Sequence, residues 1–269
     1  MNSRRFQLIL SSLLLFAVVA ACALSPAGSS TQSAGANPSL AAVTAANPPV
    51  STAKGACVNA YFPVSPGNSW SYTSTGGTLG AYTYTRTVSD VGDAGFTTSD
   101  LYSLGSGTSS DVKWKCQDGK LAALDAGSSS LSVLTSKVKL TSTSITAEGY
   151  NIPDNFDNGT TWSEKVTING TVQTGTRILD ARIDSRVDCS AAGTESVTVP
   201  AGTFDAVKVT CTDTIAISEL VKSTPVPAGA PSTLDITNWY AKGVGLVKSV
   251  RASSVGGTAT IVLTQYKIQ

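Results

Sequence analysis

The stretch Trp162-Ser163-Glu164-Lys165-Val166-Thr167-Ile168-Asn169-Gly170-Thr171-Val172-Gln173-Thr174 decides the fold class. Trp162, Val166 and Ile168 alternate with polar residues, the period-2 pattern of a strand with one buried face. Asn-Gly is the pair a type I′ hairpin turn prefers, because both central residues need positive φ. The reading is therefore a hairpin, Trp162 to Ile168 returning as Thr171 to Leu179.

The same grammar extends in both directions. Upstream, Pro66-Gly67 is a turn pair, and Trp70 with Tyr72 opens a strand. Leu79 to Val91 follows, with Tyr82, Tyr84 and the basic Arg86 on one side. Short strands are expected at Phe96 to Leu104 and Val112 to Cys116. Gln117-Asp118-Gly119-Lys120 reads as a hairpin turn leading into Leu121 to Leu124, and Leu131 to Ile145 as one or two strands. Downstream come Arg182 to Cys189, Ser196 to Val199, the turn Pro200-Ala201-Gly202-Thr203, and Phe204 to Ile217. Pro225, Pro227 and Pro231 mark Thr224 to Ser232 as an exposed loop. Leu234 to Tyr240, Gly245 to Arg251 and Ala259 to Ile268 close the chain. No apolar 3.6 period persists, so the expected fold is all-β, with antiparallel sheets forming a curved half-barrel or sandwich and little helix.

The N-terminus follows different rules. Arg4 and Arg5 precede an apolar run of 14 residues, Leu8 to Ala21, too short to cross a bilayer but laid out like a secretory signal. Val19-Ala20-Ala21-Cys22 resembles the bacterial lipobox. That resemblance implies a signal peptide over residues 1–21 and an acylated Cys22, palmitate among its acyl chains, as the mature N-terminus. Two or three acyl chains hold a protein stably on a membrane. Ala23 follows the cysteine, so sorting rules imply the outer membrane in a two-membrane bacterium, and otherwise the outer face of the cell membrane. Residues 23–56 hold one charge, Lys54, among Ala, Ser, Pro, Gly, Thr and Asn. Such a segment cannot bury a face. As a coil of 34 residues it would span roughly 30 Å, tethering a single all-β domain over residues 57–269.

Composition removes several functions. The chain has no histidine, which excludes Ser-His-Asp and Cys-His catalysis, histidine metal sites and histidine pH switches. Without Arg4 and Arg5, the 19 basic residues fall to 17 against 18 acidic ones, so no basic face for nucleic acid is implied. Five cysteines leave four once Cys22 is acylated. Cys57, Cys116, Cys189 and Cys211 allow three pairings. Their order along the chain favours Cys57–Cys116 and Cys189–Cys211, as staples in an oxidising compartment.

Weaker signals read as structure. Asp154, Asn155, Asp157 and Asn158 supply calcium-type oxygens, but without the 12-residue loop spacing or a terminal Glu, so a solvated turn is expected. Asn158-Gly159-Thr160 and Asn169-Gly170-Thr171 match the glycosylation acceptor, the second already explained by the expected turn. Arg182, Asp184, Arg186 and Asp188 share one face of their strand, and with Glu195 nearby they read as a solvated charged face. Trp70, Trp114, Trp162 and Trp239 read as core aromatics.

Three stretches carry a family resemblance: Tyr61-Phe62-Pro63 with Gly67, Trp70 and Tyr72; Val197-Thr198-Val199-Pro200-Ala201-Gly202-Thr203-Phe204; and Trp239-Tyr240-Ala241-Lys242-Gly243-Val244-Gly245-Leu246-Val247. They resemble the TapB-like family of secreted and lipid-anchored bacterial proteins. A more distant analogy runs to LolA/LolB-type lipoproteins, whose curved sheet holds acyl chains beneath helices; no candidate for those helices occurs here. The expectation is a monomeric, lipid-anchored envelope protein. Its β domain binds or scaffolds without catalysis, cofactor or metal, and its protein or ligand partner is not encoded in any motif. The alternatives are a carrier of lipid or another hydrophobic ligand, and an envelope hydrolase working through carboxylates.

Overall fold

The computed structural model describes residues 55–104, 108–124, 139–174, 177–253 and 256–269. Cys22, the signal segment, nearly all of the linker and Leu131 to Val138 lie outside the described residues.

Among the described residues, a 3-10 turn at Gly55–Cys57 leads into thirteen strands. They are β1 Ser69–Gly76, β2 Tyr82–Ser89, β3 Gly95–Tyr102, β4 Thr108–Gln117, β5 Lys120–Ala123, β6 Lys139–Gly149 and β7 Thr161–Thr174. After these come β8 Arg177–Val199, β9 Gly202–Val221, β10 Thr224–Pro227, β11 Ser232–Ala241, β12 Gly245–Ser253 and β13 Gly257–Lys267. All pairings are antiparallel, in the order β5-β4-β3-β2-β1-β13-β12-β11-β9-β8-β7-β6, with β10 beside β9. The two ends of this order meet at one bridge, Leu121 to Ile152, so the sheet curls into a nearly closed barrel. Bulges at Ser71/Tyr72, Ala191/Thr194 and Trp239/Tyr240 supply the bending that closure requires.

The expected hairpin at Asn169-Gly170 is not a turn. β7 runs straight through it, with Asn169 opposite Arg182 and Gly170 opposite Ala181. On the other side β6 shifts register between Ser142 and Ser144. A Cβ on Gly170 would stand 2.2 Å from the Thr141 carbonyl oxygen. Glycine is therefore needed for close approach of two backbones, the other reason for glycine in a strand. The Asp118-Gly119 pair does turn, with φ of 49° and 78°, the positive values of a type I′ turn. Arg182 to Cys189 and Ser196 to Val199, two separate strands by the sequence pattern, belong to one strand, β8, of 23 residues. Thr224–Pro227 is likewise a strand and not a loop, because an edge position tolerates proline.

The main core fills the barrel. Phe62 lies 5.4 to 5.6 Å, centroid to centroid, from Trp70, Phe96 and Trp114, and Phe96 stacks on Trp114 nearly parallel. Asn59, buried beside this cluster, donates to the carbonyls of Gly119 and Pro153. The turn after Cys57 is thereby fixed against the seam. A second, smaller cluster of Val166, Ile168, Ile183 and Ile215 lies farther out along β7, β8 and β9.

Candidate functional site

Alternation places Tyr72, Tyr84, Arg86, Trp162, Glu164, Asn238, Tyr240 and Arg251 on the inner face of the barrel. They line a chamber of about 120 Å3 together with Phe62, Trp70, Trp114, Tyr150 and Asn151. The interior of a small barrel is ordinarily filled by apolar side chains. Here it also carries charge.

Arg86 on β2 faces Asp100 on β3 in direct register. The pair is bidentate, Nε to Oδ1 at 2.7 Å and Nη2 to Oδ2 at 2.6 Å. Asp100 is 2% exposed and accepts a third hydrogen bond from the Tyr102 hydroxyl. Burial works against the Arg86 charge, but the Asp100 carboxylate outweighs it and holds the guanidinium firmly protonated. Tyr84 and Tyr102 are pushed up by burial, Tyr102 to about 12, so these phenols stay neutral.

Glu164 on β7 occupies the slot between Trp162 and Val166, where the alternation calls for an apolar side chain. It is 4% exposed. Its Oε2 accepts from Asn151 Nδ2 at 2.5 Å, while Oε1 is buried with no hydrogen-bond partner. Burial, with Asp213 adding repulsion against the Asn151 bond, pushes its carboxyl up to about 7. Asn151 is the joint of the barrel seam: its Oδ1 accepts from the Ala123 backbone at 2.6 Å, and its carbonyl accepts from Trp162 Nε1 at 3.1 Å. Asn238 Oδ1 is a second buried acceptor without a partner, while its Nδ2 reaches the Tyr240 hydroxyl at 3.4 Å.

The residues singled out from sequence fall mostly elsewhere. Cys57 and Cys116 are joined, S–S 2.04 Å, as are Cys189 and Cys211, 2.03 Å. The second bond crosses two strands already paired at that position. Asp184 and Asp188 form ladders with Arg182 and Arg186 on the outer face, each at 2.7 Å. Glu195 accepts from the Trp239 indole, with Lys208 and Lys248 over that ring. The loop at Asp154 to Asn158 is an exposed turn tied by an Asn155-to-Asp157 bond of 2.6 Å around the buried Phe156. All four tryptophans are buried, and Trp70, Trp114 and Trp162 also face the chamber. Sequence reading missed Glu164, Asp100 and Asn238. The available signal was an acid or amide on the apolar parity of a strand.

On the outer face, a shallow depression of about 760 Å3 crosses β7, β8, β9 and β11. Thr161, Ser163, Ser190, Thr210, Thr212 and Thr237 give it a mostly short-chain polar lining, with Trp162 as its aromatic member.

An antiparallel barrel with two disulfides and a partly enclosed, partly ionic chamber defines an extracytoplasmic β protein, since such bonds persist in oxidising compartments. The DUF3108-like family model matches residues 106–252, more than half of the chain, which belongs to that family. This identification does not extend to the TapB-like name or the LolA/LolB analogy. Among solved structures, the chain is similar to a protein of Parabacteroides distasonis ATCC 8503 provisionally described as a lipoprotein. The two share 25% identity at a TM-score of 0.52, over 78% of this chain and 99% of that one. It is also similar to a protein of Bacteroides fragilis NCTC 9343, provisionally described as exported with a YmcC-like fold, at 16% identity and a TM-score of 0.47 over the same shares. No curated protein matches the chain.

Proposed function

We propose that this protein is a lipid-anchored envelope lipoprotein, held at Cys22, whose barrel binds a small ligand in its interior without catalysing a reaction. The observation that carries this is the chamber itself: a partly enclosed space with aromatic walls, a few convergent polar groups and one carboxyl shifted by its surroundings. That combination is the usual form of a small-molecule site. The lipobox at Val19-Ala20-Ala21-Cys22 and the relative described as a lipoprotein support the anchor. They favour the outer membrane in a two-membrane organism and the outer face of the cell membrane otherwise. The chain acts as a monomer and has no nucleic-acid partner.

The size of the chamber speaks against the hydrophobic-carrier alternative. Pockets for drug-sized ligands occupy about 300–1,000 Å3, whereas this one is about 120 Å3 and carries arginine and carboxylate. Asp184 and Asp188 pair with Arg182 and Arg186 on the outer face, away from the chamber, which supports the non-catalytic reading over the hydrolase alternative.

Two experiments test the proposal. Cys22→Ala should abolish acyl labelling and leave unprocessed precursor; normal maturation and membrane localisation of that variant would remove the anchor. Protein purified from native membranes, then denatured, should release a small molecule in near-stoichiometric amount by mass spectrometry. Release of nothing, with ordered water filling the chamber at high resolution, would remove the binding function.

A further inference from the structure

The unused donors on the chamber wall identify the charge of its occupant, an inference that rests on the binding function proposed above. The contact of Arg86 with Asp100 uses Nε and Nη2 of the guanidinium, and Nη1 has no partner among the described residues. Tyr84 is 7% exposed and its ring stacks on Tyr72 and on Tyr102. Its hydroxyl likewise has no partner among the described residues. The Tyr240 hydroxyl accepts from Asn238 Nδ2, which leaves its own proton to donate. Glu164 Oε2 accepts from Asn151, so below about 7 the proton that the carboxyl holds sits on the partnerless Oε1 and is a further donor. Buried donors are ordinarily matched by acceptors. Here several converge on one space.

Register and charge place them together. Tyr84 and Arg86 stand two apart on β2 and project to the same side. Tyr72, its ring 4.8 Å from that of Tyr84, donates to the Leu246 carbonyl on β12, and Leu246 is opposite Tyr240. The positive charges of Arg86 and Arg251 each act on the Tyr84 hydroxyl and each act on the Tyr240 hydroxyl, so both guanidiniums stand near both phenols. Arg251 Nε also donates to Ser249 Oγ at 3.4 Å, and its charge stays with the wall. Glu164 is the one carboxylate among the lining residues. Facing it are Asn151 and Tyr150 from the loop before β7, Asp213 from β9, Arg86 from β2, Tyr240 from β11 and Arg251 from β12. Its neighbour on β8 is the uncharged Val187, and Lys120 on β5 lies over the Tyr150 ring. While Glu164 keeps its proton, Asp100 balances Arg86 and the wall remains positive through Arg251.

We infer that the chamber takes a small monocarboxylate, its oxygens accepting from the Tyr84 and Tyr240 hydroxyls and from the Arg86 and Arg251 guanidiniums, with its short apolar tail toward the Phe62, Trp70 and Trp114 rings. A carboxylate supplies acceptors where the wall offers donors, cancels the surplus positive charge and matches guanidinium geometry. A cavity of about 150 Å3 holds one benzene, so a chamber of about 120 Å3 takes about six heavy atoms or fewer. Glu164 keeps its proton on binding, and no covalent bond changes.

The test is calorimetric titration of the full chain in detergent, at one fixed ionic strength, with propionate, propylammonium and 1-propanol. At pH 6 propionate should bind and shift the tryptophan emission, and the other two should bind more weakly by about tenfold or more. Propionate affinity should fall about tenfold from pH 6 to pH 8, as a carboxyl near 7 ionises and repels the ligand. Glu164→Gln keeps an uncharged donor of the same shape and should bind propionate equally at both pH values. Tyr84→Phe removes a hydroxyl that no described residue satisfies and keeps both ring stacks. It should fold with unchanged Tm, yet weaken propionate about tenfold. If propylammonium or propanol binds as well as propionate, or if either variant behaves as the parent protein does, the carboxylate assignment falls while the chamber remains a binding site. If none of the three binds, the assignment falls too, and the binding function falls with it when no small molecule leaves the purified protein.

Discussion

Strands β7, β8 and β9 pass through two interiors of different chemistry on the same face. Inside the barrel they contribute Trp162, Cys189 and Cys211 to a core of aromatic rings, arginines and tyrosine hydroxyls. Farther along they contribute Val166, Ile168, Ile183 and Ile215 to a cluster that is purely aliphatic. Between the two lies a belt of buried polar residues, Glu164, Ser185 and Asp213, at 4%, 3% and 0% exposure. The aliphatic cluster needs only complementary volume. The barrel core depends on every charge having a partner, so a single loss there costs more.

That contrast orders the expected effects. Asp100→Ala leaves the buried Arg86 guanidinium unpaired, and its loss should be about 3–5 kcal/mol by denaturant unfolding. Replacing both partners, Arg86→Met with Asp100→Leu, should recover most of this, which a purely steric account of the site does not predict. In the other cluster, Ile168→Ala removes a fully buried side chain, and about 2–4 kcal/mol should be lost. A loss as large as that from Asp100→Ala would erase the distinction between the two interiors.

The belt responds to pH. In the folded chain Glu164 keeps its proton up to about 7, against 4.5 for the unperturbed group, chiefly because of burial. Between those values the folded state binds more protons than the unfolded one. Stability therefore falls as pH rises from about 4.5 through 7, with the penalty complete above. Glu164→Gln removes the penalty and should stabilise the protein at pH 8 by on the order of 1–3 kcal/mol, with little change near pH 4.5. A parallel pair of pH-stability curves for the two proteins would break this reading. The smallest effect belongs to the outer face: Asp184→Asn, which breaks a solvent-screened pair with Arg182, should cost less than about 1 kcal/mol.

The sequence carried the strand grammar more legibly than the contacts between strands. Asp118-Gly119 and Pro200-Ala201 are where local preference and tertiary need agree, so their turns could be read directly. At Asn169-Gly170 the same dipeptide serves a backbone approach to Thr141, a demand set by β6, which local sequence does not reveal. Arg86 was visible on the parity of Tyr82 and Tyr84. Its partner became visible only once register set Asp100 opposite it. Glu164 stood in plain view as a carboxylate in an apolar alternation, but its significance needed the barrel to close at Asn151. The disulfide pairing followed chain order: Cys189–Cys211 joins paired positions of adjacent strands, and Cys57–Cys116 ties the 3-10 turn before β1 to β4.

The proline-bearing strand β10 has a consequence for behaviour in a crowd. Ala228 N donates to the Ile217 carbonyl at 2.8 Å, which fixes the parity: N–H groups at even positions point at β9, and positions 225 and 227 point away from it. Those outward positions are Pro225 and Pro227. The free side of β10 therefore offers carbonyls at these positions but no matching donors. A second molecule arriving edge-on cannot continue the ladder there, and crowded copies meet at this strand without seeding a fibre.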